Sequence, residues 1–111
     1  MDILFRTAKI CEQCTSAKDR VRTWGPEQAK KIGQRLDDLK AAANLGVMRG
    51  LPGRCHELKG ERVGQLSLDL VQPYRLVFEA AEEKPPRKSD GGLDWDRVTV
   101  IRILGVEDTH G

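Results

Sequence analysis

Gln65-Leu66-Ser67-Leu68-Asp69-Leu70-Val71-Gln72-Pro73-Tyr74-Arg75-Leu76-Val77-Phe78-Glu79 is the stretch that decides the fold. Leu66, Leu68 and Leu70 alternate with polar residues, the period of a strand with one buried face. Tyr74, Leu76 and Phe78 alternate again, with Arg75 and Val77 on the other side. Gln72-Pro73 between the two runs reads as a turn, so the pair predicts an antiparallel hairpin. If Tyr74, Leu76 and Phe78 face the core, Arg75 looks out from the open side, where its fork of donors suits a phosphate. An ordinary solvent-facing arginine is the plainer reading of the same residue.

Working outward toward the C-terminus, Ala80 to Asp96 is charged and rich in Pro and Gly, which predicts an exposed, mobile loop over 80–96. Val98 to Leu104 is β-branched and apolar on nearly every residue, the mark of an interior strand. Toward the N-terminus, His56-Glu57-Leu58 offers a further short strand, and Leu45 to Leu51 a connector with at most one helical turn. Ala29, Ile32, Leu36, Leu39 and Ala43 fall at i, i+3, i+7, i+10 and i+14, one face of a helix ended by Asn44 and Gly46. It follows Thr23-Trp24-Gly25-Pro26, and before that Ile10, Cys14, Ala17 and Val21 mark the stripe of another helix from Ala8 to Val21. Asp2-Ile3-Leu4-Phe5 reads as an edge strand. The order β-α-α-β-β-β predicts an α+β domain, a helical hairpin on one face of a small antiparallel sheet.

The 111 residues suffice for one domain spanning 1–111 and not for two. Lys and Arg number 19 against 17 Asp and Glu, a net charge of +2 that permits a polyanionic partner without implying one. No apolar run approaches the ~18 residues of a membrane span, and the N-terminus lacks the pattern of a signal peptide. Three cysteines make no disulfide framework, so a reducing cytoplasm is expected. Cys11-Glu12-Gln13-Cys14 has the spacing of half a zinc site, but it occurs singly in a polar helix, and Cys14 falls on the apolar stripe as a small hydrophobe. No metal and no small-molecule cofactor is expected.

Two places carry residues fit for chemistry. Between Arg49 and Arg62 stand Arg49, Arg54, Lys59 and Arg62 against Glu57 and Glu61, with His56 among them. That is a candidate phosphate-facing patch or, more plainly, a solvated loop of mixed charge. The chain closes on Glu107-Asp108-Thr109-His110-Gly111 directly after the interior strand. A frayed tail is the default for such a segment, yet an imidazole there can exchange a proton near neutral pH.

In order, the run from Leu51-Pro52-Gly53-Arg54-Cys55-His56-Glu57-Leu58-Lys59-Gly60-Glu61-Arg62-Val63-Gly64 to Leu68, the strand Tyr74-Arg75-Leu76-Val77-Phe78 and the end Glu107-Asp108-Thr109-His110 resemble the HigB branch of the RelE/ParE toxin superfamily. The second half of the chain carries the likeness; the helical half agrees in pattern only. The resemblance implies a toxin of a type II toxin–antitoxin pair that cleaves mRNA on the ribosome and is neutralised by a HigA-like helix-turn-helix antitoxin. Residue by residue it matches the family's functional lysine to Lys59, its strand arginine to Arg75 and its terminal acid and histidine to Asp108 and His110. Lys59 and Arg75 would then hold the phosphate, His110 transfer the proton, and Asp108 orient it, fix the tail or serve as a plain acceptor for backbone groups. His56, close to Lys59 in sequence, is a second imidazole. Two departures stand out: Thr109 replaces the branch's tyrosine, and the 80–96 loop is longer than usual. A gyrase-poisoning ParE-like protein and a non-catalytic binding module are the rival readings.

Overall fold

The structure, a computed structural model, describes residues 1–108. The reading of Thr109 and His110 as part of a site therefore lies outside the described residues. Strand β1 (Asp2–Phe5) is followed by helices α1 (Ala8–Thr15) and α2 (Ala17–Ala41). Strands β2 (His56–Glu57), β3 (Gln65–Asp69), β4 (Tyr74–Ala80) and β5 (Val100–Asp108) complete the chain. Short 3₁₀ turns cover Leu45–Gly50, Gly60–Arg62 and Trp95–Arg97.

The α+β class and the 65–79 hairpin hold, but the sheet is mixed rather than antiparallel. Its order is β1-β5-β4-β3-β2, and β1 runs parallel to β5 while every other pair is antiparallel. A parallel partner needs a long crossover, and the two helices and three strands between β1 and β5 provide it.

The helices break where a serine competes with the backbone. A continuous helix from Ala8 to Val21 was expected, but Ser16 interrupts it: its N–H donates to the Glu12 carbonyl at 3.2 Å and its Oγ accepts from Asp19 N at 3.2 Å. One residue thus ends α1 and caps α2. Only the first half of the predicted stripe is then buried: Cys14 is in the core, whereas Ala17 and Val21 are exposed. The expected break at Gly25-Pro26 is present within the span of α2: Gly25, at φ 82° and ψ 165°, is non-helical and divides it into two helices. Beyond it Ala29, Ile32, Leu36 and Leu39 are buried as their spacing requires, and the helix stops at Ala41, so Ala42 rather than Ala43 packs inward.

Gln28 ties α2 to the hairpin turn. Its Nε2 donates to the Val71 carbonyl at 3.2 Å and its Oε1 accepts from Val71 N at 2.8 Å, on a side chain that is almost buried. Gln28→Ala leaves both backbone groups without that partner, which costs about 1–3 kcal/mol; urea unfolding of the two proteins measures it.

The core lies between α2 and the face of the sheet formed by Leu66, Leu68, Leu76, Phe78, Ile101 and Ile103. Val106 packs on the same side although it is three residues from Ile103, an odd step that strict alternation forbids. A β-bulge resolves it: Val77 pairs with Gly105 and Phe78 with Ile103, so Leu104 is the extra residue.

The stretch expected to be an exposed loop is not exposed throughout. Leu93 and Trp95 are buried in the core cluster together with Val98. The segment closes a small hairpin on itself, with Lys88 N on the Gly92 carbonyl at 2.7 Å and Asp94 N on the Pro86 carbonyl at 2.9 Å. Trp95 Nε1 donates to Glu57 Oε2 at 3.2 Å, and the Arg49 guanidinium sits 4.4 Å from the centre of the Trp95 ring.

Candidate functional site

The face of the sheet away from α2 carries the polar cross-strand rows. Asp69 on β3, Arg75 on β4 and Glu107 on β5 stand in one row. His56, Ser67, Val77 and Gly105 stand in the next, from edge to interior. Residues opposite one another across a ladder share a face, so hairpin register alone places Arg75 between two carboxylates.

Asp69 gathers arginines from three parts of the chain. Arg54 Nε donates to its Oδ2 at 2.6 Å, and Arg75 Nε lies 3.4 Å from its Oδ1. Arg35 Nε, on α2, donates to the Asp69 main-chain carbonyl at 2.9 Å. The Arg75 contact is an ion pair without hydrogen-bond alignment, since neither Arg75 Nε nor Asp69 Oδ1 has a hydrogen-bond partner among the described residues. The two arginines differ in freedom: the Arg75 side chain is 13% exposed and that of Arg54 70%.

The backbone before β2 is bent to bring Arg54 there. Arg54 has φ 47°, the left-handed region that a residue with a Cβ enters at a cost and that clusters at functional sites. Gly53 precedes it at φ 112°, and a Cβ at Gly53 would lie 2.8 Å from Arg35 Nε. The Gly53 carbonyl accepts from Asp69 N at 2.7 Å, which pins this turn to the end of β3. Glycine is required here both for the turn and for the close approach of Arg35.

Arg62 forms the second bridge. Its guanidinium meets Glu107 through both oxygens, at 2.8 and 3.4 Å, and Gln65 Oε1 at 3.2 Å. Gln65 is on β3 and Glu107 on β5, so the group spans β4 and lies over the row of Ser67, Val77 and Gly105. The Arg62 hydrogen bond, reinforced by its charge and that of Arg6, holds the Glu107 carboxyl below its ordinary value of 4.5 despite partial burial. A folded-state pKa below the unfolded one adds stability above the unfolded pKa, and that stability is lost as pH falls through the folded value. Wild type should therefore exceed Glu107→Gln in stability by a constant margin near neutral pH, and the margin should close as pH drops below about 4.5. Denaturant midpoints of the two proteins across that range check it.

His56 Nδ1 lies 2.8 Å from the Arg54 carbonyl oxygen. A carbonyl only accepts, so the Nδ1 proton points there and the neutral ring leaves Nε2 as an acceptor. Lys59 is exposed and opens the turn Gly60–Arg62, its carbonyl accepting from Arg62 N at 3.2 Å.

The structure thus brings Arg54, His56, Arg62 and Arg75 to one face, with Lys59 on the adjoining turn. It does not bring Asp108 to that face. Asp108 is opposite Tyr74, one residue past Glu107, and neighbours along a strand point to opposite sides. Continued alternation from Ile101 and Ile103 predicts the reverse, Val106 and Asp108 on the polar face with Val106 opposite Arg75, and Glu107 on the core side; the bulge at Leu104 exchanges the two sides. Sequence reading therefore missed Glu107, and it missed Asp69 and Arg35. The signal for Glu107 was present: a glycine inside a strand marks a bulge. Asp69 was readable by counting back equally from the turn to the partner of Arg75.

The cysteines take no part. Burial pushes the Cys14 thiol up to about 11 and the Cys55 thiol up to about 12. Both are protonated at neutral pH, and Cys14 packs in the core as a small hydrophobe.

No protein-family model matches the chain, and no curated protein matches its sequence significantly. Solved structures do match: helices over this mixed sheet are the fold of RelE/ParE-like toxins. A YoeB/ParE toxin from Agrobacterium tumefaciens shares it with a TM-score of 0.60 at 13% identity, over 99% of this chain and 100% of that one. A chain of the YoeB–YefM complex from Staphylococcus aureus matches at 0.57 and 18%, over 96% and 94%. A heterotetrameric YoeB–YefM toxin–antitoxin complex from the same organism matches at 0.55 and 18%, over the same shares. At these identities the likeness is one of fold. Among the described residues no helix is long and apolar enough to cross a membrane.

Proposed function

We propose that this chain is the toxin of a type II toxin–antitoxin pair, an endoribonuclease that cuts mRNA on the ribosome by general acid–base chemistry. The observation that carries the reading is the convergence of Arg54, Arg62 and Arg75 beside His56 on one face of the sheet, with Lys59 at its margin. Cleaving RNA through the ribose 2′-OH needs a base for that proton, donors for the charged phosphate and an acid for the leaving 5′-oxygen. Arg75 and Lys59 hold the phosphate, and Arg54 and Arg62 guide the flanking backbone. Proton transfer falls to two imidazoles: His110, placed in that role by the HigB resemblance, and His56, whose Nε2 is left open to accept. Asp108, on the Tyr74 side of β5, stands outside the phosphate-holding group.

A HigA-like helix-turn-helix antitoxin is the partner we propose, and the cytoplasm the place of action. The toxin–antitoxin complex among the chains of this fold supports a protein antitoxin. The gyrase-poison reading draws on one observation: each arginine of the face already has a carboxylate partner, as a surface built to bind protein rather than RNA would. Mapping RNA 5′ ends after brief induction decides between them. Cuts in translated mRNA, in register with codons, are expected; a DNA-damage response without such cuts overturns the ribonuclease.

A further inference from the structure

The geometry points to Asp69 as a positioning residue, which takes a hydrogen bond from Arg54 Nε and pairs by charge with Arg75 Nε so that both guanidinium groups present their Nη ends to the RNA backbone, Arg75 to the scissile phosphate and Arg54 to its neighbour. The inference rests on the ribonuclease reading above and adds to it a residue that never touches the RNA.

Three observations carry it. A guanidinium gripped at Nε keeps its two Nη groups, the pair that forms a fork on a phosphate. Asp69 meets two of them at once, through a hydrogen bond from Arg54 Nε to Oδ2 at 2.6 Å and an ion pair between Arg75 Nε and Oδ1 at 3.4 Å. Asp69 is itself held fast: Arg35 Nε donates to its carbonyl, and its own N–H donates to the Gly53 carbonyl. A surface ion pair alone needs none of this. The carboxylate is mostly covered at 18% exposure, and the chain adopts a left-handed conformation at Arg54 to reach it. Fixing two donors before substrate arrives removes the reorganisation that free arginines would need in the transition state.

Asp69→Asn is the direct test. A carboxamide is uncharged and keeps one acceptor oxygen, so it can still accept from Arg54 Nε–H but leaves Arg75 without its ion pair. The main-chain contacts to Arg35 and Gly53 do not depend on the side chain and are retained. Cleavage of a defined mRNA on programmed ribosomes should fall about 10²-fold in kcat with KM little changed. The Nε–Hε NMR signals of Arg54 and Arg75 should shift from their wild-type positions while the backbone amide spectrum stays in place.

Arg75→Ala runs beside it. If Arg75→Ala is inactive and Asp69→Asn cuts at the wild-type rate, the positioning role falls and the ribonuclease stands. If the wild-type chain itself cuts no ribosome-bound mRNA, both fall. Should Asp69→Asn not fold, the wild-type protein answers alone, titrated with a short 2′-O-methyl RNA that binds without being cut. Protected Nε–Hε signals that persist in the complex, while the Nη signals shift, support the role. Release of the Nε groups from Asp69 on binding overturns it, because the phosphate would then have displaced the carboxylate.

Discussion

Arg75→Ala is expected, on the proposed ribonuclease activity, to lower the rate of mRNA cleavage by about 10²–10³, the typical loss when one transition-state donor is removed. The effect is expected to be this large because Arg75 is the least exposed of the arginines on the polar face of the sheet. It sits on an interior strand, with β3 and β5 on either side and carboxylates in register on both. Its side chain is 13% exposed, so the entropy of fixing it was lost on folding rather than on binding. The fold survives the change because Asp69 retains Arg54, and the apolar side of β4 is untouched. Single-turnover cleavage on programmed ribosomes measures the rate, and thermal unfolding confirms that the variant is folded. A folded Arg75→Ala protein with the wild-type rate removes Arg75 from the chemistry.

Trp95→Ala should cost about 3–5 kcal/mol, the range for truncating a buried aromatic. Trp95 fills the core beside Leu93 and Val98, carries Arg49 on its ring and donates to Glu57 of β2. For a domain of this size such a loss approaches much of the total stability. The consequence reaches the site, because β2 is only two residues long and pairs through His56 and Glu57. Guanidinium unfolding gives the stability change. Faster amide exchange at His56 and Glu57 than in the rest of the sheet would show that the edge strand loosens first. Trp95→Phe keeps most of the packing and loses only the Glu57 hydrogen bond, so it should recover most of the difference.

Much of the architecture was legible because it rests on period. The alternation of Leu66, Leu68, Leu76 and Phe78 gave the hairpin, and the spacing of Ala29, Ile32, Leu36 and Leu39 gave the packed part of α2. What escaped were places where one residue overrides a period. Ser16 breaks a helix by capping in both directions. Trp95 draws part of a charged, Pro- and Gly-rich segment into the core, and a composition average does not register a single aromatic. The parallel pairing of β1 depends on where a distant strand lies, which no local pattern encodes.

The site was legible in its cations and not in its anions. Arg54, His56, Arg62 and Arg75 were identified from residue type and from the HigB resemblance, and they share a face. Asp69 and Glu107 escape such a reading because an acid carries the same sign of charge as the phosphate proposed to bind there. Here each fixes a guanidinium, so the carboxylates do not simply cancel the charge of the face; they determine its geometry.

The extra residue in β5 has a consequence for comparison between relatives. Up to Ile103 the core takes alternate side chains, and past Leu104 the phase of that rhythm is reversed. A relative with an unbroken strand matches this one only if a gap is opened at Leu104. Without it, every residue from Gly105 onward is matched to a neighbour from the opposite side of the sheet. An acid that meets Arg75 would be equated with one that does not, and a mutational scan planned on that pairing would probe the wrong side of the strand at each position.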